Sequence, residues 1–347
     1  MLQKHSKLLS LIHQAVGRKQ GVVRINWEGK EMLFSPSLHV TLISKAARVL
    51  KAESMVLAQE GHVREAVQNQ ALAFRCADHL QSGRSVLYAI VGCGTNATTL
   101  RGMREILYLH GDDPQIAQSV LEAVRENAHT PNITSAMRAD ATISFFTLDY
   151  FRSINPKFVI PDATPQSGRW RLPKAPTSKE QQNAYIDASE AAILHRQRLD
   201  ILASEHPYLE AKRLFAANQS EWIKSRSDRT DMANGMGDDE SGYVAMAGAD
   251  NASINVVEIA ARLLIWKSQH GGFPSKLSAI GDTPLDPFSG KSFGYRREGS
   301  GFVLYSVGEG GNFEGGSPNV KPKASLPMFR YPVPAYYRLP ANLGKTP

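Results

Sequence analysis

Apolar residues recur at helical spacing through most of the chain and alternate at strand spacing only near its two ends. Leu42, Ala46, Val49, Leu50, Val56 and Leu57 share one face of a 3.6-residue period, and beyond Glu60-Gly61 so do Val63, Ala66, Val67, Phe74 and Ala77. The pattern predicts two amphipathic helices that fold back on each other at Gly61. Helical spacing returns in DDPQIAQSVLEAV, in EQQNAYIDASEAAILHRQRLDILASE and in YLEAKRLFAANQSEWIK. It returns again as a stripe of Ile254, Val257, Ala261, Leu264 and Ile265 that ends at the stop signal His270-Gly271-Gly272. Alternation appears in GVVRINWEGKEMLF, residues 21–34, as a short hairpin around Gly29. It appears also in FGYRRE and GFVLYSV, on either side of Gly299-Ser300-Gly301, where glycines permit a tight turn.

Breaks in the pattern divide the chain. Prolines and small polar residues interrupt every period from Ile154 to Lys179, and SRSDRTDMANGMGDDESG, residues 225–242, is a second polar break. The expected units are an N-terminal segment over 1–37, a helical-hairpin region over 38–150 and a connector over 151–180. Further helices and a polar linker follow over 181–245, then a small α+β module over 246–316, then an extended Pro/Tyr-rich tail over 317–347 that packs on the body or awaits a partner. The expected fold class is mainly α. The corner LAQEGHVREAVQNQALAF resembles that of a tetratricopeptide repeat, with Gly61 at the turn and Ala66 and Ala73 allowing close helix approach, although no regular repeat of that period follows.

Composition narrows the function classes. A length of 347 residues exceeds one compact domain, and 42% hydrophobic residues suffice for ordinary cores. The formal net charge of +7 suits an acidic partner, an anionic membrane surface or nucleic acid, and a solvated basic surface is the expected reading. Its cations are spread along the chain and not gathered in a block with interleaved aromatics, so nucleic acid is not an expected partner. Cys76 and Cys93, both in apolar segments, make neither a disulfide framework nor a clustered zinc site, and buried free thiols are expected, with one disulfide as the alternative in an oxidising compartment. No window is apolar for long enough to span a bilayer. The first residues, MLQKHSKLLSLIHQAVGRKQ, lack the unbroken apolar run and small-residue cleavage site of a signal peptide.

The most enzyme-like stretch is SVLYAIV, GCGTNA and TTLRGMREILYL, which reads as strand, G-x-G-x-x-A and helix. In a dinucleotide fold such glycines bring the backbone close to a pyrophosphate. Gly92, Gly94 and Ala97 are the cofactor residues of that reading, which makes the chain a nucleotide-dependent oxidoreductase. It requires Ser85–Val91 to be a strand and an acid to close a second strand. Asp112 and Asp113 open a helix instead, and no alternation of strands and helices follows. The other reading is one long helix in which Gly92, Gly94 and Ala97 present small residues to a neighbour.

Other candidates carry less chemistry. Gly290-Lys291-Ser292 ends like a phosphate loop, but Leu285 stands where the first glycine belongs and Pro287 has no N–H to donate. His195, Arg196 and Asp200 read as a surface ion-pair set, and Asp238, Asp239 and Glu240 as a solvated acidic turn. Trp170, Trp222 and Trp266 read as core or edge residues, and neither H-E-x-x-H nor G-x-S-x-G occurs. No catalytic residue is assigned, and a binding protein is the expectation ahead of an enzyme.

The order of motifs towards the C-terminus is more specific. A helix ending in HGGFPSKL, then LDPFSGKSFGYR, then GFVLYSVGEGG resembles the C-terminal region of the type II secretion major pseudopilins, over Ile254–Gly316. The chain as a whole resembles predicted envelope proteins of planctomycete-like bacteria that place helical hairpins ahead of such a module. These resemblances imply a bacterial envelope or periplasmic setting and an assembly role, secretion-related, with other proteins as partners. They also imply a calcium site in the loop after Tyr-Ser-x-Gly. Here Glu309, Asn312 and Glu314 would supply its oxygens, with a glycine in place of the expected aspartate, and calcium takes more ligands than these three side chains give. No other cofactor is expected. The matching helix carries Glu258, Arg262 and Lys267, so it is not expected to build a filament as a pseudopilin's strongly apolar first helix does.

Overall fold

A computed structural model of the chain describes residues 6–18, 37–81, 85–153, 178–225, 240–311 and 327–332. Among these residues lie nine helices and one three-stranded antiparallel sheet. The helices are α1 (Ser6–Val16), α2 (Ser37–Gln59), α3 (Val63–Gln81), α4 (Val86–His110), α5 (Pro114–Asn127), α6 (Ile133–Ser153), α7 (Lys179–Ser204), α8 (Tyr208–Lys224) and α9 (Ser241–His270). The strands are β1 (Gly294–Glu298), β2 (Gly301–Tyr305) and β3 (Met328–Tyr331). The hairpin expected over 21–34, most of the connector and residues 226–239 of the second polar break lie outside the described residues.

Local signals set the helix ends. Gly61 turns the chain between α2 and α3 at φ 89°, a left-handed conformation that a Cβ would strain. Ser85 caps α4, its side chain accepting from the Tyr88 N–H, and Asp113 caps α5 by accepting from the Gln115 N–H at 2.8 Å, with Pro114 in the first turn. Gly271 ends α9 at φ 75° and returns its N–H to the Lys267 carbonyl.

Side-chain bonds fix how the helices stack. Ser44 on α2 meets Thr95 on α4 at 3.5 Å, and Lys51 further along α2 meets Glu105 further along α4 at 3.1 Å, so these helices run parallel. Asn96 on α4 meets Asp250 on α9 at 3.0 Å, and Gly111 at the end of α4 lies against Leu264, so α4 and α9 also run parallel. Helices α3 and α5 run back the other way. Arg64 at the start of α3 donates to Gln115 at the start of α5, while Arg125–Glu258 and Asp112–Lys267, both 2.7 Å, pair α5 antiparallel with α9. Three parallel helices, α2, α4 and α9, are thus backed by two antiparallel ones. Helices α6–α8 form a branch with smaller cores, one in which Ile133, Met137, Ala211 and Phe215 pack with Val86 and Ala89 of α4, and one of its own from Leu148, Ile186, Ile193 and Trp222.

The sheet has the order β1-β2-β3, with Glu298 opposite Gly301 at the turn and Gly299 at φ 59°. Strand β3 comes from the tail, which therefore packs on the body at Met328–Tyr331. Phe329 stacks on Tyr108 of α4 at 4.6 Å, and the Tyr331 hydroxyl donates to Asp112 at 2.7 Å. The helix of the C-terminal module starts at Ser241, ahead of the boundary expected at 246. Phe302 and Phe329 belong to the same apolar core as Phe74, Leu107, Val120 and Val257. The module is a unit of sequence, but its core is continuous with that of the hairpins, because α9 fills the place beside α4 and α5.

Candidate functional site

The segment SVLYAIVGCGTNA is helical throughout from Val86, so the strand that a dinucleotide fold needs before its glycines is not there. The small-residue face is also different from the expectation. Gly92 is buried, but Gly94 and Ala97 are exposed, and a methyl group added at Gly94 would meet nothing within 4 Å. The glycine that α4 does use for close approach is Gly102, where an added Cβ would lie 2.3 Å from the buried Gln70 amide of α3. Asn96, inside the same motif, does polar work: its amide donates to the His129 carbonyl at 2.8 Å and to Asp250 at 3.0 Å.

Asp250 is the least satisfied acid among these groups. It is 5% exposed, one of its oxygens accepts from Asn96, and its Oδ1 has no hydrogen-bond partner. Burial pushes its carboxyl up to about 7, against the opposing hydrogen bonds of Asn96 and Thr130. Asp140 on α6 accepts from the Val86 N–H at 3.1 Å and is pushed by burial up to about 6. Cys93 and Cys76 are buried free thiols, both raised by burial, Cys76 to about 12, so neither is a poised nucleophile.

The remaining candidates do not converge. His195 is exposed, whereas Arg196 and Asp200 form a buried ion pair at 2.6 Å, which corrects the expectation of a surface set. Asn218 donates to the other Asp200 oxygen at 2.8 Å, and the Arg196 guanidinium lies 5.3 Å from the Trp222 ring centre, so the pair ties α7 to α8. Trp266 stacks on His270 at 3.7 Å. Glu309 directly follows Gly308 in the loop after β2. Its carbonyl accepts from Lys212 at 3.2 Å and its carboxylate lies 4.0 Å from the same ammonium, while Asn312 and Glu314 fall outside the described residues. Among the described residues no three His, Cys, Asp or Glu side chains cluster as metal ligands.

The opening loop of the C-terminal module is held by one acid. Asp286 is fully buried and accepts from the Phe288 N–H at 3.0 Å, the Ser306 hydroxyl at 2.9 Å and the Val307 N–H at 2.8 Å. Ser306 in turn accepts from the Gly308 N–H at 3.0 Å. Asp-Pro and Tyr-Ser-x-Gly are therefore two halves of one hydrogen-bonded knot, and Gly290, at φ 65°, turns the loop. Its role is architectural.

Three surface clefts of about 430, 420 and 510 Å³ lie beside the hairpin corners at Gly61 and His110, between α5 and α9 at Trp266, and along α8 at Phe215. None gathers a nucleophile with a base. The first has the most titratable groups, but its Asp112 accepts from Lys267 and Tyr331, which hold it below the usual carboxylate range, and its Asp113 is the cap of α5.

What stands out on the surface is the face along the α2–α4 seam. On α2, Ser44, Arg48 and Lys51 follow one helical stripe, and on α4, Leu87, Val91, Gly94, Thr98, Arg101 and Glu105 follow another. Arg48 and Arg101 lie between the Ser44–Thr95 and Lys51–Glu105 contacts, so they share a level, and both are exposed. Neither the heptad-like spacing nor any motif reveals this face, because its two halves are far apart in sequence and only the parallel packing joins them.

Comparison with protein-family models, curated proteins and solved structures gave no match for this chain.

Proposed function

We propose that the chain is a non-catalytic binding or assembly protein of the bacterial envelope, secretion-related by its motif order. In this reading the stacked hairpins are tetratricopeptide-like and the C-terminal module is pseudopilin-like. The observation that carries it is the set of parallel helices α2, α4 and α9, which leaves Arg48 of α2 and Leu87, Gly94 and Arg101 of α4 exposed on their outer stripes while α3 and α5 bury their backs. Stacked helices of this kind offer an extended surface to another protein. The helical character of Ser85–Val91 and the separation of the titratable groups support binding ahead of hydride transfer.

The test is capture by the tagged chain after crosslinking in the source cells, alongside turnover assays with nicotinamide cofactors on the purified chain. One reproducible protein partner and no turnover is the expected result. Turnover with no partner would overturn the reading. The same reading needs no cofactor, and calcium is the one ion its motif order brings, at Glu309, Asn312 and Glu314. Since Lys212 already holds Glu309, the ion would compete with an ammonium. A rise in Tm on adding calcium to chelated protein is the signature of that site.

A further inference from the structure

We propose that the α2–α4 seam docks an acidic, extended peptide segment of a partner protein, with an apolar residue seated at the N-terminal end of the seam and carboxylates at its middle. This deepens the binding reading above and rests on it. The charge on the seam is one-sided. Lys45, Arg48 and Arg101 are exposed, with Lys51 and Arg104 half-buried beside them. Among the described residues the acid within this face is Glu105, which is buried and already paired with Lys51 at 3.1 Å, so the exposed cations are not neutralised by it. Arg104, on the flank of α4, donates to the Met328 carbonyl of β3 at 3.4 Å.

The α4 surface N-terminal of Arg101 is small. Gly94 and Ala97 are exposed, and the space over Gly94 is open to 4 Å, which lets a backbone come close to α4. At the N-terminal end of the α4 stripe the exposed side chain changes to Leu87, 49% exposed. An occupant complementary to this surface is apolar at one end and acidic along the rest.

A peptide fits better than the other polyanions. Single-stranded nucleic acid needs aromatic platforms for its bases. Helix α2 contains no Phe, Tyr or Trp, and the tyrosines of α4 are engaged, Tyr88 in the core and Tyr108 against Phe329. An anionic membrane surface favours a wide apolar face with cations at its edge, whereas here the arginines occupy the middle.

The experiment is fluorescence anisotropy on the full chain with a labelled peptide of two leucines followed by glutamates, at about 50 mM and about 300 mM salt. The comparison probes are the same peptide with lysines for glutamates, a single-stranded oligonucleotide, and phosphatidylglycerol vesicles. Saturable binding of the acidic peptide is expected, weakened by salt. The Arg48→Glu/Arg101→Glu variant is expected to lose at least about tenfold in affinity. An Arg198→Glu/Lys224→Glu variant on α7 and α8, with the same change in net charge, is expected to stay within about twofold. Circular dichroism melts of both variants keep folding separate from binding. Absence of binding, equal loss in both variants, or stronger binding of the oligonucleotide or vesicles would overturn the proposal. Should crosslinking recover a partner that the Arg48→Glu/Arg101→Glu variant captures as well as the parent does, the seam is the wrong site while the binding reading stands.

Discussion

Two buried aspartates, one in the C-terminal loop and one in the α4–α9 seam, solve the same problem with unequal success. Asp286 is surrounded by the free N–H groups of Phe288 and Val307 and by the Ser306 hydroxyl, and both its oxygens accept. Asp250 sits inside a helix, where every backbone donor nearby is already spent on the helix itself, so it must borrow from side chains on other elements and leaves Oδ1 without a partner. A turn can wrap a carboxylate in backbone; a helix cannot. The first acid should therefore hold its region together, while the second strains its own.

The largest test removes the better-satisfied acid. Asp286→Ala leaves three donors facing a void between the loop and the end of β2, and we expect a loss of about 3–5 kcal/mol, read as a fall in the urea midpoint by circular dichroism. Asp286→Asn keeps the shape but presents one acceptor oxygen in place of two, so it should fall between.

Asp250→Asn should go the other way. Burial raises the Asp250 carboxyl to about 7, above an ordinary value of 3.8. Between those values the folded chain keeps a proton that the unfolded chain has released, so stability falls as pH rises through this window and levels off above it. Asp140, raised to about 6, adds in the same direction over a narrower range. The parent is expected to be more stable at pH 5 than at pH 8. Asp250→Asn, which cannot ionise, should gain about 2–4 kcal/mol at pH 8 and little at pH 4, measured as urea midpoints of both chains. An equal effect at both pH values would mean that packing, not charge, sets the cost.

The contrast also separates what the sequence made legible from what it did not. Asp286-Pro287, Ser289-Gly290 and the Gly299-Ser300-Gly301 turn were readable because turn chemistry is local, and the contacts of Asp286 stay within about twenty residues. The helix stripes and stops were readable for the same reason. Asp250 lies one turn before Ile254 on the apolar stripe of α9, so a polar residue in a buried position was visible, but its partner Asn96 is 154 residues away. The seam arginines Arg48 and Arg101 share that handicap: nothing local says that α2 and α4 lie side by side. The expectations for Gly94 and for Arg196 and Asp200 missed because exposure depends on neighbours from other segments, whereas spacing reports only a shared face.

Gly301→Ala tests the loop region from its other side. An added Cβ would lie 1.9 Å from the Tyr331 carbonyl oxygen, which is backbone and cannot swing away. Strand β3 would have to part from β2 and release Phe329 and Tyr331, and a loss of about 1–3 kcal/mol is expected in the same denaturation assay. If β3 leaves as a unit, Tyr331 Oη and Asp112 separate too.

The smallest expected effect lies two residues before Asn96. Gly94 has helical backbone, is exposed, and has nothing within 4 Å of the place a Cβ would take. Alanine there should remove backbone freedom from the unfolded chain at no steric cost, stabilising the protein by about 0.5–1 kcal/mol. The seam proposal adds a second readout, because that methyl group fills part of the open α4 floor two turns N-terminal of Arg101. Gly94→Ala is expected to raise the urea midpoint while weakening the acidic peptide. A larger side chain, as in Gly94→Leu, should weaken it further while leaving the melt of the core unchanged. A fall in stability on Gly94→Ala would show instead that something packs against α4 at this point, and the face would be an internal contact and not an open one.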